Sequence, residues 1–579
     1  IEFEQGGTAM AQVTHFFVGA NSGEGFQNLF HEMVDLEDTY DERSGDGMVR
    51  YVGKAGDVEV APGWERLRVT WKNGNDANVK YTKVTWQSDK ESGLKEKYVP
   101  LQKDKASDTL WIENLDNALY TIRVSNLTAD STESFTREVY GLPYTSEHEN
   151  LSVISRGIIN FYPLGNRMAV TLDEKNDYLK EVMLHYIGTD GNKHEWNILE
   201  NMSDTLEVDQ WGTMIQLVGN MFLLPEEGVS WGINFNEPLT ITRKGRVAEC
   251  LDEIPFTEVT LEKGERVWST HFTLWMNQLY GPDWESRVNT IEEIDLDYDL
   301  ATFEDLFYLP ALKQVNLGKN RYLCEALDMW GMKGVEKDYV SLTDEYKALM
   351  TLQYLKTTRG VETNVYNGMY FSGKLGDPDL GEMSYTKFLQ QLGKIDADLL
   401  NHYTVADQTQ PGIVPLAWED WALMCSDTTY SGNNNTGSMG WLLDDDSKKC
   451  FSPGKRFEIK TYELTFDMKT PQMVHGFKFV QAHPDAITED YKKVLGYLIS
   501  AVKIEVSNDA VSWTNATYVD GYITVGNNAG EATYITIPEE LRQEVRYIRL
   551  SMANNKVDEM DGVATYSLKL GDFIPYTEP

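Results

Sequence analysis

The segment Glu293-Ile294-Asp295-Leu296-Asp297 sets three carboxylates at every second position, so a strand would carry them all on one face. Two carboxyl groups flanking a glycosidic bond are the machinery of sugar hydrolysis, and retaining chemistry holds them roughly 5–5.5 Å apart. Glu293 and Asp297 are the candidate pair for a glycoside hydrolase, although Asp297 is one methylene short of the Glu such a pair calls for. A second concentration of chemistry lies further on. Trp418, Trp421, Tyr430, Asn433, Asn434, Asn435 and Trp441 precede Ser452-Pro453-Gly454-Lys455-Arg456, and His483-Pro484-Asp485 follows an apolar run. Aromatic rings stack on the C–H faces of sugars, and a few placed polar groups fix orientation by reading hydroxyls. The candidate ligand-binding residues are Tyr430, Asn434, Lys455, Arg456, His483, Asp485 and Trp421. Between them, Asp444-Asp445-Asp446 supplies hard oxygen donors suited to calcium, with Asp444 and Asp446 as candidate ligands.

Each of these has a plainer reading. Carboxylates on a half-buried strand face water, an acidic turn stays solvated without an ion, and Trp418 with Trp421 would share a helical face that suits a core. Other catalytic signatures are missing: there is no His-Glu-x-x-His and no Gly-x-Ser-x-Gly, and the nine histidines show no metal spacing. Gly19 to Gly25 lies between a strand-like run and the helical-looking Phe26 to Val34, but lacks the Gly-Lys-Ser/Thr ending of a phosphate loop.

Composition narrows the classes. The chain has 579 residues, too many for one core, and 52 basic against 91 acidic residues give a net charge of −39. Such a surface repels phosphate backbones and anionic lipids, so no nucleic acid is expected as a partner. The cysteines, Cys250, Cys324, Cys425 and Cys450, make no zinc spacing; they read as scattered thiols, with a Cys425–Cys450 bridge as the alternative. No run of 18 apolar residues is present, so no transmembrane helix is expected.

The elements that position these residues are mostly strands. Leu67, Val69 and Trp71 alternate with polar neighbours, as do Tyr120, Ile122 and Val124, and later Val502, Ile504 and Val506. The fold class expected is mainly β and multidomain: two immunoglobulin/fibronectin-like sandwiches, a mixed α/β leucine-rich-repeat-like region and a C-terminal discoidin-like β-sandwich, or jelly roll. The boundaries are 1–48 for an N-terminal segment, partly a remnant outside the fold, then 49–150, 151–244, 245–407 and 408–579. In the third region Ile294-Asp295-Leu296 and Val315-Asn316-Leu317 lie 21 residues apart, the period of leucine-rich repeats. Thr343 to Thr358 and Tyr385 to Tyr403 read as amphipathic helices there.

Two resemblances sharpen this. Trp441-Leu442-Leu443-Asp444-Asp445-Asp446, Tyr462 to Asp467, Val474 to Phe479, Val502 to Asp509 with Trp513, Arg546 to Leu550 and Asp572 to Tyr576 resemble, in order, the discoidin (factor 5/8 type C) domain. That resemblance implies a β-sandwich whose loops bind carbohydrate without catalysis, with a structural calcium near the acidic turn. His483 stands where sugar-binding members often carry an arginine beside a proline. Tyr51-Val52-Gly53-Lys54, Trp64-Glu65-Arg66-Leu67 and Val139 to Tyr144 resemble an uncharacterised fibronectin-like domain that opens modular surface lipoproteins of Bacteroidota. Together they imply a non-enzymatic glycan-binding protein of the cell surface, lipid-anchored in the outer membrane or secreted, that captures a polysaccharide or host glycan for import or degradation. An adhesion or accessory subunit that partners an outer-membrane importer is the alternative.

Overall fold

The computed structural model describes residues 52–579 apart from 103, 153, 203–204, 208–213, 217–219, 248, 263–265, 299, 325–344, 368–369, 372–373, 376–382, 431–438 and 488–495. The glycine loop at Gly19 to Gly25, and Asn433 to Asn435, therefore lie outside the described residues. The chain divides into two compact units: 1–153 with 245–255, and 154–244 with 256–579.

The first unit is a sandwich. Gly56–Gly63, Arg66–Lys72 and Ser107–Glu113 form one antiparallel sheet, and Lys95–Pro100, Val79–Ser88, Tyr120–Thr128 and Arg137–Gly141 form the other. The period-two pattern is what seals it. Leu67, Val69 and Trp71 from the first sheet share one core with Val84, Ile122 and Val124 from the second. Residues 245–255, which the sequence places with the third region, belong to this unit: Asp252 accepts from Trp64 N at 2.9 Å and from Arg66 Nε at 2.8 Å.

Within the second unit, Met221–Leu224, Arg167–Leu172 and Ile158–Leu164 form one sheet, and Lys193–Asn197, Leu179–Ile187 and Leu239–Gly245 another, giving the second sandwich. A four-stranded parallel sheet follows, ordered Glu293–Leu296, Gln314–Leu317, Glu362–Tyr366 and Leu400–Tyr403. The first two strands pair 21 residues apart, Asp295 opposite Asn316. The next steps are 48 and 37 residues, Asn316 to Asn364 to Asn401, so no constant repeat builds this sheet. Helix Thr270–Tyr280, capped by Ser269, and helix Glu345–Arg359 supply Phe272, Met276, Leu349, Leu352 and Leu355 to its core. The helix expected over Tyr385 to Tyr403 stops at Gln391. Gly393, with φ of 65°, turns the chain, and Leu400–Tyr403 becomes the fourth parallel strand.

The last region is a two-sheet jelly roll. Val414–Pro415, Leu570–Thr577, Gly476–Gln481 and Ala532–Thr536 make the smaller sheet; Ala422–Cys425, Thr461–Met473, Glu544–Ala553, Ala501–Ser507 and Thr514–Asn515 make the larger. Phe477 and Phe573 stack at 5.2 Å between them, with Phe466 at 5.4 Å from Phe573, all with no exposed surface. Each such ring contributes about 1.5–3 kcal/mol by leaving water. The pairings Thr461↔Ala553, Val480↔Ala532 and Gln481↔Leu570 put one set of strand ends, and the loops joining them, at a single pole.

Candidate functional site

That pole carries most of the candidate ligand residues, and half of it is covered. Leu323, which follows the second parallel strand, is buried in one cluster with Ala482, Ile487, Tyr497, Leu498 and Ala529 of the jelly roll. Beside it, Arg321 and Glu531 form an ion pair with no exposed surface on either side chain. Arg321 Nη2 donates to Glu531 Oε2 at 2.7 Å and to Asn527 Oδ1 at 3.1 Å, and Nη1 donates to the Asp297 carbonyl at 3.1 Å. Its guanidinium lies 4.4 Å from the centroid of the Tyr298 ring. Ala532 N donates to Tyr322 O at 3.0 Å, so backbone as well as side chains join the two parts.

His483 and Asp485 lie beside this contact, His483 half-buried and Asp485 exposed. His483 caps the short turn Pro484–Ala486, its Nδ1 accepting from Asp485 N at 3.1 Å, and burial lowers its pKa. Asp485 pairs with Lys448 at 2.9 Å. His483 is thus engaged by its own loop, whereas Asp485, paired with an exposed lysine, keeps its access to solvent. Trp421 is corrected outright: it is 5% exposed and packed with Leu423, Leu442 and Phe466 in the core, so no ring face is left for a ligand.

The other side of the pole is open. Asp427 Oδ2 accepts from Lys460 Nζ at 2.7 Å and from Arg456 Nη2 at 3.1 Å. The Lys460 hydrogen bond leads in holding the Asp427 carboxyl down at about 2. Tyr430 Oη accepts from Gly454 N at 3.0 Å and Arg456 Nη2 at 3.4 Å. Arg456 exchanges both backbone bonds with Tyr566, at 2.9 and 2.7 Å, and Lys455 reaches Asp558 at 3.7 Å. Tyr430, Lys455 and Arg456 are thus brought together on a preorganised rim. Beside them Phe457 is 65% exposed and Ile459 69% exposed. Sequence reasoning missed both, because Phe457 and Ile459 alternate with Arg456, Glu458 and Lys460 as a core strand would.

At the acidic turn, Asp444 and Asp446 both pair with Lys449, at 3.1 and 3.0 Å, and Asp445, with φ of 59°, pairs with Lys478 at 2.7 Å. The carboxylate with an unmet need is Asp572, which is 1% exposed and has a buried Oδ1 without a hydrogen-bond partner. Burial first, then repulsion from Asp445, pushes its pKa up to about 8. Among the described residues no group of three His, Cys, Asp or Glu side chains is gathered for a metal. A cation here would be held by Asp572 together with turn oxygens. All four cysteines are free, so Cys425 and Cys450 are not bridged.

The strand carboxylates are spoken for. Asn316 Nδ2 donates to Glu293 Oε1 at 2.6 Å and Asp295 Oδ1 at 2.7 Å, and Lys319 Nζ reaches Glu293 at 2.6 Å. The Lys319 bond leads in lowering the Glu293 pKa. Asp297 instead turns inward at 2% exposure, and burial raises it to about 6. The strand ends at Leu296, leaving Glu293 on its exposed face and Asp297 buried beyond its end, so the two carboxyl groups do not share the same surroundings.

A model of a domain of unknown function, DUF4998, matches residues 34–227, about a third of the chain and across both sandwiches. No curated protein matches. Among solved structures, the F5/8 type C domain of a Bacteroides fragilis protein is 13% identical, covering 29% of this chain and 99% of its own, with a TM-score of 0.22. CBM32-1, from a family 31 glycoside hydrolase of Clostridium perfringens, is 15% identical over 28% of this chain and 96% of its own, with a TM-score of 0.19. A two-domain fibronectin type III segment of chicken tenascin is 15% identical over 36% of this chain and 97% of its own, with a TM-score of 0.16. Each similarity is partial.

Proposed function

We propose that this chain is a non-catalytic glycan-binding protein whose ligand rests on the open rim of the C-terminal jelly roll. The observation that carries the reading is the cluster of Tyr430, Lys455 and Arg456, held by Asp427 and Tyr566, beside the 65%-exposed ring of Phe457. An exposed aromatic next to fixed donors is what sugar recognition needs. Display at a cell surface, by an outer-membrane lipid anchor or by secretion, and delivery of the captured glycan to an importer belong to the same proposal.

Affinity electrophoresis and isothermal titration against polysaccharides, mucin and host glycans test it. Phe457→Ala should weaken binding at least about tenfold with an unchanged melting temperature, and Arg456→Ala should weaken it as much while costing up to about 1 kcal/mol through the lost Asp427 pair. Trp421→Ala should instead cost about 3–5 kcal/mol of stability as a core truncation. No retained glycan anywhere on the panel, or binding indifferent to Phe457 and Arg456, would refute the rim as the site. Pull-down of an importer subunit without glycan binding would favour the accessory-subunit alternative.

A further inference from the structure

A cavity lies away from the rim, where the parallel-sheet region meets the smaller sheet of the jelly roll. It measures about 410 Å³, and Trp275, Tyr298, Tyr322 and Tyr534 are among its walls. That volume is within the usual span of small-molecule sites. Tyr322 and Tyr534 meet edge to face, centroids 5.1 Å apart, and both are only half-buried, so aromatic surface stays open to the cavity. Tyr534 is further fixed by its Oη donating to Gln410 Oε1 at 3.0 Å.

Among the described lining residues Asp297 is the one that is charged, and it is 2% exposed. Asn320 fixes its carboxylate, donating from N to Oδ1 and from Nδ2 to Oδ2, each at 3.1 Å. A carboxylate offers about four lone-pair positions, so acceptor capacity remains on both oxygens. Among the described residues no lysine, arginine or histidine lines the cavity, which disfavours phosphate, sulfate, uronate and sialate ligands. Thr517, Thr524, Thr533 and Thr536 complete a polar lining without adding charge.

We propose that this cavity binds one or two rings of a neutral sugar, with Asp297 accepting hydroxyls and the Tyr322–Tyr534 pair supplying the apolar wall. The site shares no residue with the rim and stands or falls separately from it. Its supports are rigid, because Tyr298 and Asp297 also anchor the buried guanidinium of Arg321.

The test uses the full chain and neutral disaccharides of glucose, mannose and galactose at millimolar concentration, with glucuronate and glucosamine as charged counterparts. Hydrogen exchange on the unmutated protein should show protection in peptides spanning 320–322 and 532–536. Asp297→Asn and Tyr534→Ala should each weaken that binding about tenfold, and Tyr534→Phe should keep most of it. Phe457→Ala should leave it unchanged. Protection confined to 452–460, preference for either charged sugar, or binding unaltered in folded Asp297→Asn would each overturn the proposal, as would no protection with any neutral disaccharide.

Discussion

Replacing Arg321 with methionine removes one partner of an ion pair that has no contact with solvent, and leaves Glu531 charged inside the protein. Breaking such a pair from one side costs about 3–5 kcal/mol, because the remaining charge keeps its desolvation penalty and loses its compensation. The Asp297 carbonyl and the Asn527 side chain lose their donors too, which keeps the estimate at the upper end. The pair lies in the larger compact unit, residues 154–244 with 256–579, where an unfolding entropy of about 2.1 cal/mol/K per residue makes each kcal/mol worth roughly 1 °C, so a fall of roughly 3–6 °C is expected. Arg321→Met combined with Glu531→Leu removes both charges, and should recover at least about half of the loss. Recovery stays incomplete, since Asn528 N and Nδ2, which donate to Glu531 Oε2 at 3.0 and 2.8 Å, are then orphaned. Differential scanning calorimetry of the full chain reads all three variants. Arg542→Ala, which breaks a partly exposed pair with Glu578 at 3.1 Å, is the reference and should cost under about 1 kcal/mol. A shift for Arg321→Met no larger than that reference, or a double variant no more stable than Arg321→Met alone, would overturn this account of the pair.

Asp467, bonded by Arg546 at 2.8 and 3.1 Å and held down at about 2, binds its proton later than in the unfolded chain. Its contribution is therefore whole above about pH 5 and lost as the pH falls through 4 toward 2; with Arg546 partly exposed it is on the order of 1–2 kcal/mol, and Arg546→Ala should flatten that limb of an acid-unfolding curve. Calcium in excess over its dissociation constant should raise the melting temperature, by about 2.7 kcal/mol of stability at a hundredfold excess, and Asp572→Asn should abolish the shift; a wild-type protein indifferent to both calcium and chelator removes the cation from the account. Asn316, with no exposed surface, donates to two carboxylates and accepts from Gln314 at 2.9 Å and Asn364 at 2.8 Å. Asn316→Ala should cost about 2–4 kcal/mol by urea unfolding, through the partners it leaves unmet.

The jelly roll was legible because its strands alternate cleanly and its core aromatics fall on one face of each run; Phe466, Phe477 and Phe573 follow from pattern alone. The parallel pairing of Ile294 with Val315 was legible from its 21-residue spacing. What followed was not, because steps of 48 and 37 residues carry no periodic signal. The rim was half visible: Tyr430, Lys455 and Arg456 are polar or aromatic in a turn-rich stretch, whereas Phe457 and Ile459 look like core until the backbone turns them outward. His483 is drawn in as the cap of Pro484–Ala486, a local role that its place beside a proline does not announce. Spacing alone puts Asp297 with Glu293, and only the end of the strand after Leu296 separates their surroundings.

The carboxylate of Asp252, which fastens Trp64 and Arg66, comes 186 residues after that arginine in the chain. During synthesis the first sandwich must therefore wait, unfastened, while all of 154–244 leaves the ribosome. The order of completion is inverted relative to the order of translation. A truncation ending near residue 150 would release a domain without its clasp, whereas one ending beyond 255 would keep it.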